Sequence, residues 1–220
     1  ADPEITGANG VFGTSFANGR FTDGEFEKTA AVMKLVVEGY AGAGTISMGG
    51  FDYHTGERAT GEARDLRAGR AMGACLEFAA RRGKPLMLYV FSDGSLSSNG
   101  RLDMSEGGRG KGEWTGDNQQ VAAAFFLVYS PTGRPTLLQR DGVAIANRQQ
   151  LGYFNASGDV VTSSSPAANN VNLLVQTVLL NYMALHGEES SFASAFPGQG
   201  LGGAASRMVA MNPIVQANGN

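Results

Sequence analysis

The sequence predicts an α/β fold, in which a mostly parallel sheet is flanked by helices within a single domain spanning residues 1–220. Two observations carry this prediction. Helical and strand-like segments alternate between residues 24 and 129, which is the pattern of a layered α/β sheet. The clearest strand, Leu86–Phe91, is apolar at every position, as is typical of a central strand buried on both faces of a parallel sheet.

The first helix is predicted to begin after Asp23, and residues 1–23 are predicted to be irregular. These first residues are rich in glycine, asparagine and threonine and show no sustained period. Asp23 is a suitable N-cap, and Gly39 and Gly42 end the helix. Its buried face is predicted from four apolar residues spaced four, three and four positions apart, namely Phe26, Ala30, Met33 and Val37.

Two further helices are predicted, one that follows His54 and ends at Gly83 and one that opens at Pro166 and ends at Gly187. The residues predicted to face inward are Leu66, Met72, Cys75, Leu76 and Ala79 in the first of these helices, and Val171, Leu174, Val178 and Tyr182 in the second. Glycine weakens a helix. The three glycines of the first of these helices, Gly61, Gly69 and Gly73, are therefore expected to be compensated by a close approach to the sheet.

Two more strands complete the predicted sheet, one at about residues 44–48 and one over residues 121–129. Residues 95–118 are rich in glycine and serine and are predicted to form a long loop, of a kind that is usually functional or mobile. The glycine-rich string at 107–112 lies in this loop but lacks the spacing of a phosphate-binding loop.

Composition restricts the classes of function. A net charge of −3 gives no basic surface for nucleic acid or an anionic membrane, and no apolar run approaches the length of a membrane span. No signal peptide is visible at the N-terminus. A single cysteine, Cys75, excludes an internal disulfide framework. The 32 glycines are spread without a period, which favours ordered loops in an exported or assembled protein.

Polar side chains occur at the end of each predicted strand or in the loop beside it, and ligands bind at the carboxyl ends of strands in open α/β sheets. The candidate site residues are Asp52 with His54, Ser92 with Asp93, and Asp117 with Asn118. Oxygen ligands with one imidazole suit a divalent cation, which would hold a substrate anion and lower the pKa of a bound water. The alternative is that the acids cap helices and turns and that His54 is a polar surface residue.

Three motifs in this order resemble those of an exported bacterial family known as domain of unknown function 1501. The stretch Gly49-Gly-Phe-Asp-Tyr-His54 resembles its Gly-Gly-Trp-Asp-Thr-His motif, and Val90-Phe-Ser-Asp-Gly94 resembles its strand followed by Ser-Glu-Phe-Gly-Arg. Trp114-Thr-Gly-Asp-Asn118 resembles its Gly-Thr-Asp-His-Gly motif. The family is sulfatase-like and is similar to the C-terminal part of the alkaline phosphatase superfamily. The resemblance covers about residues 40–200.

The resemblance implies specific roles for the candidate residues. The metal ligands would be Asp52, His54, Asp93 and Asp117, while Ser92 and Asn118 would orient the substrate or a water hydrogen-bonded to the ligands. The chain departs from the family where Asn118 replaces a histidine. It also has no counterpart of the N-terminal half, which carries the superfamily's nucleophile. We therefore expect a fragment, a processed product or a lineage that has lost catalysis.

The predicted function is that of an alkaline-phosphatase-like or sulfatase-like domain with a degraded metal site, acting as a non-catalytic binding or surface-assembly protein. The alternative is a metal-dependent hydrolase of phosphate or sulfate esters, completed by the missing N-terminal half. Because Asn118 shifts the ligand set toward hard oxygen donors, the site is expected to hold calcium or magnesium rather than zinc, or no metal. Expected partners are the missing half or further copies of the chain. The resemblance implies a periplasmic or cell-surface location.

Overall fold

The computed structural model describes residues 2–51, 58–92, 95–118, 124–139, 151–153, 155, 161–168 and 170–215, without the side chains of 58, 95–101 and 111–118. The fold is a mixture of α-helices and small β-sheets. The chain divides into two compact units. The first consists of Ala1–Tyr53, Glu57–Leu88 and Val128–Pro131, and the second of His54–Gly56, Tyr89–Leu127 and Thr132–Asn220. The single domain spanning 1–220 stays a prediction.

Helices and strands have the following bounds. The α-helices are α1 (Pro3–Thr6), α2 (Gly24–Val37), α3 (Arg58–Arg81), α4 (Val171–Leu185) and α5 (Phe192–Ala195). The strands are β1 (Phe16–Ala17), β2 (Arg20–Phe21), β3 (Leu86–Phe91), β4 (Ser95–Asp103), β5 (Lys111–Asn118) and β6 (Ala124–Tyr129). Short 3-10 helices lie at Gly13–Ser15, Glu189–Ser191 and Gly202–Met208.

The predicted mostly parallel sheet is wrong for the described residues. Their strands form three two-stranded sheets, in which β1 pairs with β2, β3 with β6, and β4 with β5. The first and last of these pairs are antiparallel. Strand β3 therefore has one partner in the described part of the chain, and its residues are partly buried or exposed rather than enclosed. The strand predicted at 44–48 is also absent there, although Ile46 and Met48 pack against the core of the first unit.

Helix α2 matches its prediction. Asp23 caps it by accepting a hydrogen bond from the Glu25 backbone N–H at 2.8 Å. The four residues predicted to face the core are all buried: Phe26, Ala30, Met33 and Val37. Gly39 ends the helix with a φ of +79°, a left-handed conformation that favours glycine.

Helix α3 ends where it was predicted to end, and its predicted inward face is right in part, because Cys75 and Ala79 are buried. Gly83 follows it with a φ of +61°. The buried residues are Ala71, Ala74, Cys75, Phe78 and Ala79, whereas Leu66 is 68 % exposed. The prediction missed Phe78, the largest side chain of this face, and small alanines around it complete the contact. An added Cβ would meet nothing within 4 Å at Gly69 or Gly73, so the close approach predicted for these two glycines is wrong.

The N-terminal segment was predicted to be irregular, but it contains the short helix α1 and the short strands β1 and β2. Phe12 is buried and stacks on Phe26 with ring centroids 5.0 Å apart, and Phe21 packs edge-on against Phe12 at 6.0 Å. Ile5 of α1 joins the same core. These contacts give the segment its own share of the buried apolar surface, which its glycine-rich composition did not indicate.

An ion-pair network ties α1 to the C-terminal ends of α2 and α3. Asp2 Oδ2 lies 2.8 Å from Lys34 Nζ and 3.1 Å from the Arg82 guanidinium. Arg82 also lies 3.3 Å from Glu4 Oε1 and 2.8 Å from Glu38 Oε1, the latter pair without hydrogen-bond geometry. The Lys34 hydrogen bond outweighs the opposing effect of burial and lowers the pKa of Asp2.

Helix α4 begins at the N-cap Asn170 rather than at the predicted Pro166, and Gly187 follows its end with a φ of +71°. Its predicted inward face is right only for Leu174, which packs against the core, whereas Val171 is 75 % exposed and Tyr182 is 46 % exposed. The buried residues of the helix are Thr177, Leu180, Asn181, Ala184 and Leu185. Two of them are polar, so a search for apolar spacing alone did not find this face.

Asn181 is the polar centre of the second unit's core. Its side-chain amide donates to the Thr177 and Met208 carbonyls, each at 2.8 Å. Its Oδ1 accepts from the Ala210 backbone N–H, also at 2.8 Å. Because the C-terminal segment around Val209 is buried against α4, this one side chain satisfies backbone groups that water cannot reach.

Candidate functional site

The structure describes only some of the predicted site residues. Asp52, His54 and Asp93 lie outside the described residues. Ser92 follows β3 and is exposed. The other two, Asp117 and Asn118, are the last residues of β5, and their side chains are outside the description. The prediction that residues 95–118 form a loop is wrong, since they form a β-hairpin.

The hairpin register brings two of the three predicted motifs to the same end of the molecule's second unit. Asn118 pairs with Ser95, and Asp117 pairs with Leu96. Paired Cα atoms are roughly 5 Å apart. Three residues span at most about 11 Å, so Ser95 cannot be farther than that from Ser92. The end of β5 therefore lies within about 16 Å of the residue that follows β3.

The opposite end of the hairpin is a tight turn that uses the glycine-rich string. Asp103 Oδ1 accepts from the Ser105 backbone N–H at 3.0 Å, and the Asp103 carbonyl accepts from the Gly110 N–H at 2.9 Å. A Cβ at Gly108 would collide with Asp103, and Arg109 and Gly110 have φ values of +53° and +74°. The close approach explains Gly108, and the positive φ angle explains Gly110.

The two other side chains that could ligate a soft metal lie elsewhere in the described structure. Cys75 is buried in the core of the first unit, as its place on the apolar stripe predicted, and burial raises the pKa of its thiol to about 11. His186 is the C-cap residue of α4, where its ring packs 4.7 Å from that of Tyr182. Among the described residues, no three His, Cys, Asp or Glu side chains form a group that could hold a metal ion.

A second feature, a groove along the first half of α3, was not predicted. It has a volume of about 410 Å³ and is lined by Ala59, Thr60, Ala63, Arg64 and Arg67. The spacing of Thr60, Arg64 and Arg67, four and then three positions, places these residues on one side of the helix. This spacing of polar residues could have indicated the groove from the sequence, but the sequence analysis of α3 considered only apolar residues.

Comparison with known proteins adds no relative, because no family model, no curated protein and no solved structure matches this chain. The resemblance to the sulfatase-like family therefore stays a prediction. Of the helices in the described ranges, none combines the length and the apolar character needed to cross a membrane.

Proposed function

We propose that this chain is a non-catalytic domain that binds a hard divalent cation, calcium or magnesium, beside the open end of the β4–β5 hairpin. The observation that supports the proposal is the register that brings Asp117 and Asn118 next to Ser95. Ser92 and Asp93 precede Ser95 in the chain, so two motifs that are 24 residues or more apart in sequence share one neighbourhood.

The chemistry of the donors favours a hard cation. Asp93 and Asp117 supply carboxylates, and Ser92 and Asn118 supply neutral oxygens. Such oxygen donors suit calcium and magnesium, whereas zinc sites are usually built from nitrogen and sulfur. Asp52 and His54 are proposed as further ligands on the strength of the motif alone. These residues would hold the cation, and the bound cation would supply positive charge that attracts an anionic group.

Binding is tested by calorimetric titration with calcium and with magnesium. Removing one ligand charge, in Asp93→Asn or in Asp117→Asn, should weaken binding about tenfold or more, because hydrogen-bonded and coordinated charges contribute more than neutral groups. Glu106→Gln is the matched control. Glu106 is exposed in the turn at the far end of the same hairpin, so its loss changes the net charge equally without touching the open end.

The proposal fails if both aspartate variants bind calcium and magnesium as the wild type does, or if Glu106→Gln weakens binding as much as they do. An assay for turnover of aryl phosphate or aryl sulfate esters distinguishes the proposed non-catalytic domain from the alternative, a metal-dependent hydrolase. We expect negligible turnover with calcium, magnesium or zinc. Metal-dependent turnover that Asp117→Asn abolishes would support the hydrolase instead.

A further inference from the structure

The groove along α3 contains a positively charged side chain that the described residues do not neutralise. Arg64 is half-buried there, and no ion pair or hydrogen bond of its guanidinium is found in the described part of the chain. A guanidinium without an anionic partner is available for one. We propose that this groove is a binding site for a small organic oxyanion, with Arg64 as its anchor.

Arg67, the second arginine of the groove, differs from Arg64 because it forms an ion pair with Asp23. Its Nε lies 2.7 Å from Asp23 Oδ2, and its Nη2 lies 2.6 Å from Asp23 Oδ1. This two-point ion pair neutralises Arg67 and fixes it as a wall of the groove. Among the described residues, the groove therefore offers one arginine without an ion pair, which matches a ligand with a single oxyanion group.

The backbone at Gly50 positions the anchor. Gly50 has a φ of +88°, and a Cβ added there would lie 2.9 Å from both Cζ and Nε of Arg64. Such a distance is shorter than van der Waals contact, so the guanidinium occupies the space that any other residue's side chain would need. The positive φ excludes other residues independently, because left-handed backbone is strained for them. The chain therefore packs the backbone of Gly50 against the Arg64 guanidinium.

The rest of the lining defines the class of ligand. Thr60 contributes a hydroxyl that donates and accepts hydrogen bonds, and Ala59 and Ala63 contribute methyl groups. The groove is wide open to solvent, and its volume of about 410 Å³ is large enough for a small ligand. A carboxylate, phosphate or sulfate group joined to a short apolar body fits this combination, and phenyl phosphate and benzoate are suitable probes.

The experiment is a titration of the full chain with phenyl phosphate, followed by NMR of the arginine side-chain N–H groups and by calorimetry. Protein and buffers are first freed of metal with a chelating resin, so the result does not depend on the proposed cation site and no soluble carboxylate chelator competes with the probe. Arg64→Gln should weaken binding about tenfold or more, since a charge-assisted fork of hydrogen bonds is lost. Arg64→Lys should weaken it less, because the charge remains. Arg134→Gln, which removes an exposed arginine outside the groove, should bind as the wild type does.

The groove itself is tested by Ala63→Leu, which fills it at an exposed helical position without removing charge. We expect this variant to bind phenyl phosphate several-fold more weakly than the wild type does. We also expect the wild type to bind inorganic phosphate more weakly than phenyl phosphate. Benzoate tests whether the site accepts a carboxylate, and binding of either probe through Arg64 supports the proposal. Equal affinities of wild type and Arg64→Gln would overturn it, as would equal losses in Arg64→Gln and Arg134→Gln or an unchanged affinity in Ala63→Leu.

Discussion

Replacing Asn181 by alanine should destabilise the second unit strongly. The substitution leaves the Met208 carbonyl and the Ala210 N–H without the partners that each now has at 2.8 Å. Both lie in a segment whose neighbours are buried. An unsatisfied buried backbone group costs about 1–3 kcal/mol, so the two together should lower the free energy of unfolding by about 2–6 kcal/mol. Domains are stable by only about 5–15 kcal/mol, so this is a large fraction.

Urea denaturation followed by circular dichroism measures the loss, and hydrogen exchange of the Ala210 amide locates it. Asn172→Ala is the matched control, because Asn172 is an exposed asparagine on the same helix, α4. We expect the control to change stability by no more than about 0.5 kcal/mol. Equal stabilities of the two variants, or an Ala210 amide that stays protected in Asn181→Ala, would refute the argument that this hydrogen-bond network holds the C-terminal segment.

Three further predictions follow from single residues. The Lys34 hydrogen bond lowers the pKa of Asp2 from 3.8, so the pair stabilises the fold above that value and loses its effect as the pH falls through the lower folded pKa. At neutral pH, Asp2→Asn should therefore unfold at a lower urea concentration than the wild type, whereas in strong acid the two proteins should unfold at nearly the same urea concentration. A difference between their midpoints that does not change with pH would contradict this prediction. Because burial raises the pKa of Cys75 to about 11, the native protein should resist a thiol reagent near neutral pH and react once unfolded, and fast labelling of the native state would refute the assignment. Asn118→His should raise zinc affinity in calorimetry if the third motif corresponds to the family's, and no gain would reject that correspondence.

The ends of the helices could be predicted because the signals that end a helix are local. Asp23 caps α2 through its own side chain, and Gly39, Gly83 and Gly187 adopt the positive φ angles that follow helix ends. None of these features depends on what the helix packs against. A search for these signals therefore located the C-terminal ends of α2, α3 and α4, although it missed α1 and the N-cap Asn170 of α4.

The inward faces of α3 and α4 could not be predicted equally well, because tertiary contacts decide them. Leu66 is apolar but exposed, while Asn181 is polar and buried since three backbone groups need it. In α2 the apolar spacing succeeded because four of its five buried residues are apolar. The fifth, Thr29, donates its hydroxyl to the Glu25 carbonyl of the same helix at 2.7 Å and needs no partner from elsewhere in the fold.

The hairpin shows why the sheet prediction failed and why only part of the site could be foreseen. Residues 95–118 are polar and glycine-rich without a regular alternation, so no period marked β4 or β5. The proposed donor residues, Ser92 with Asp93 and Asp117 with Asn118, were selected from the sequence. The pairing of Ser95 with Asn118, on which the proposal depends, is set by a long-range register that a linear pattern does not contain.

A double-mutant cycle tests most directly whether the second and third motifs hold one cation. Calcium affinity is measured by calorimetry for wild type, Asp93→Asn, Asp117→Asn and the double variant. If both carboxylates bind the same ion, the two losses are coupled, and the loss in the double variant differs from the product of the single losses by about twofold or more. Losses that multiply independently, or no loss in either single variant, would contradict the proposal that the β4–β5 register assembles a metal site.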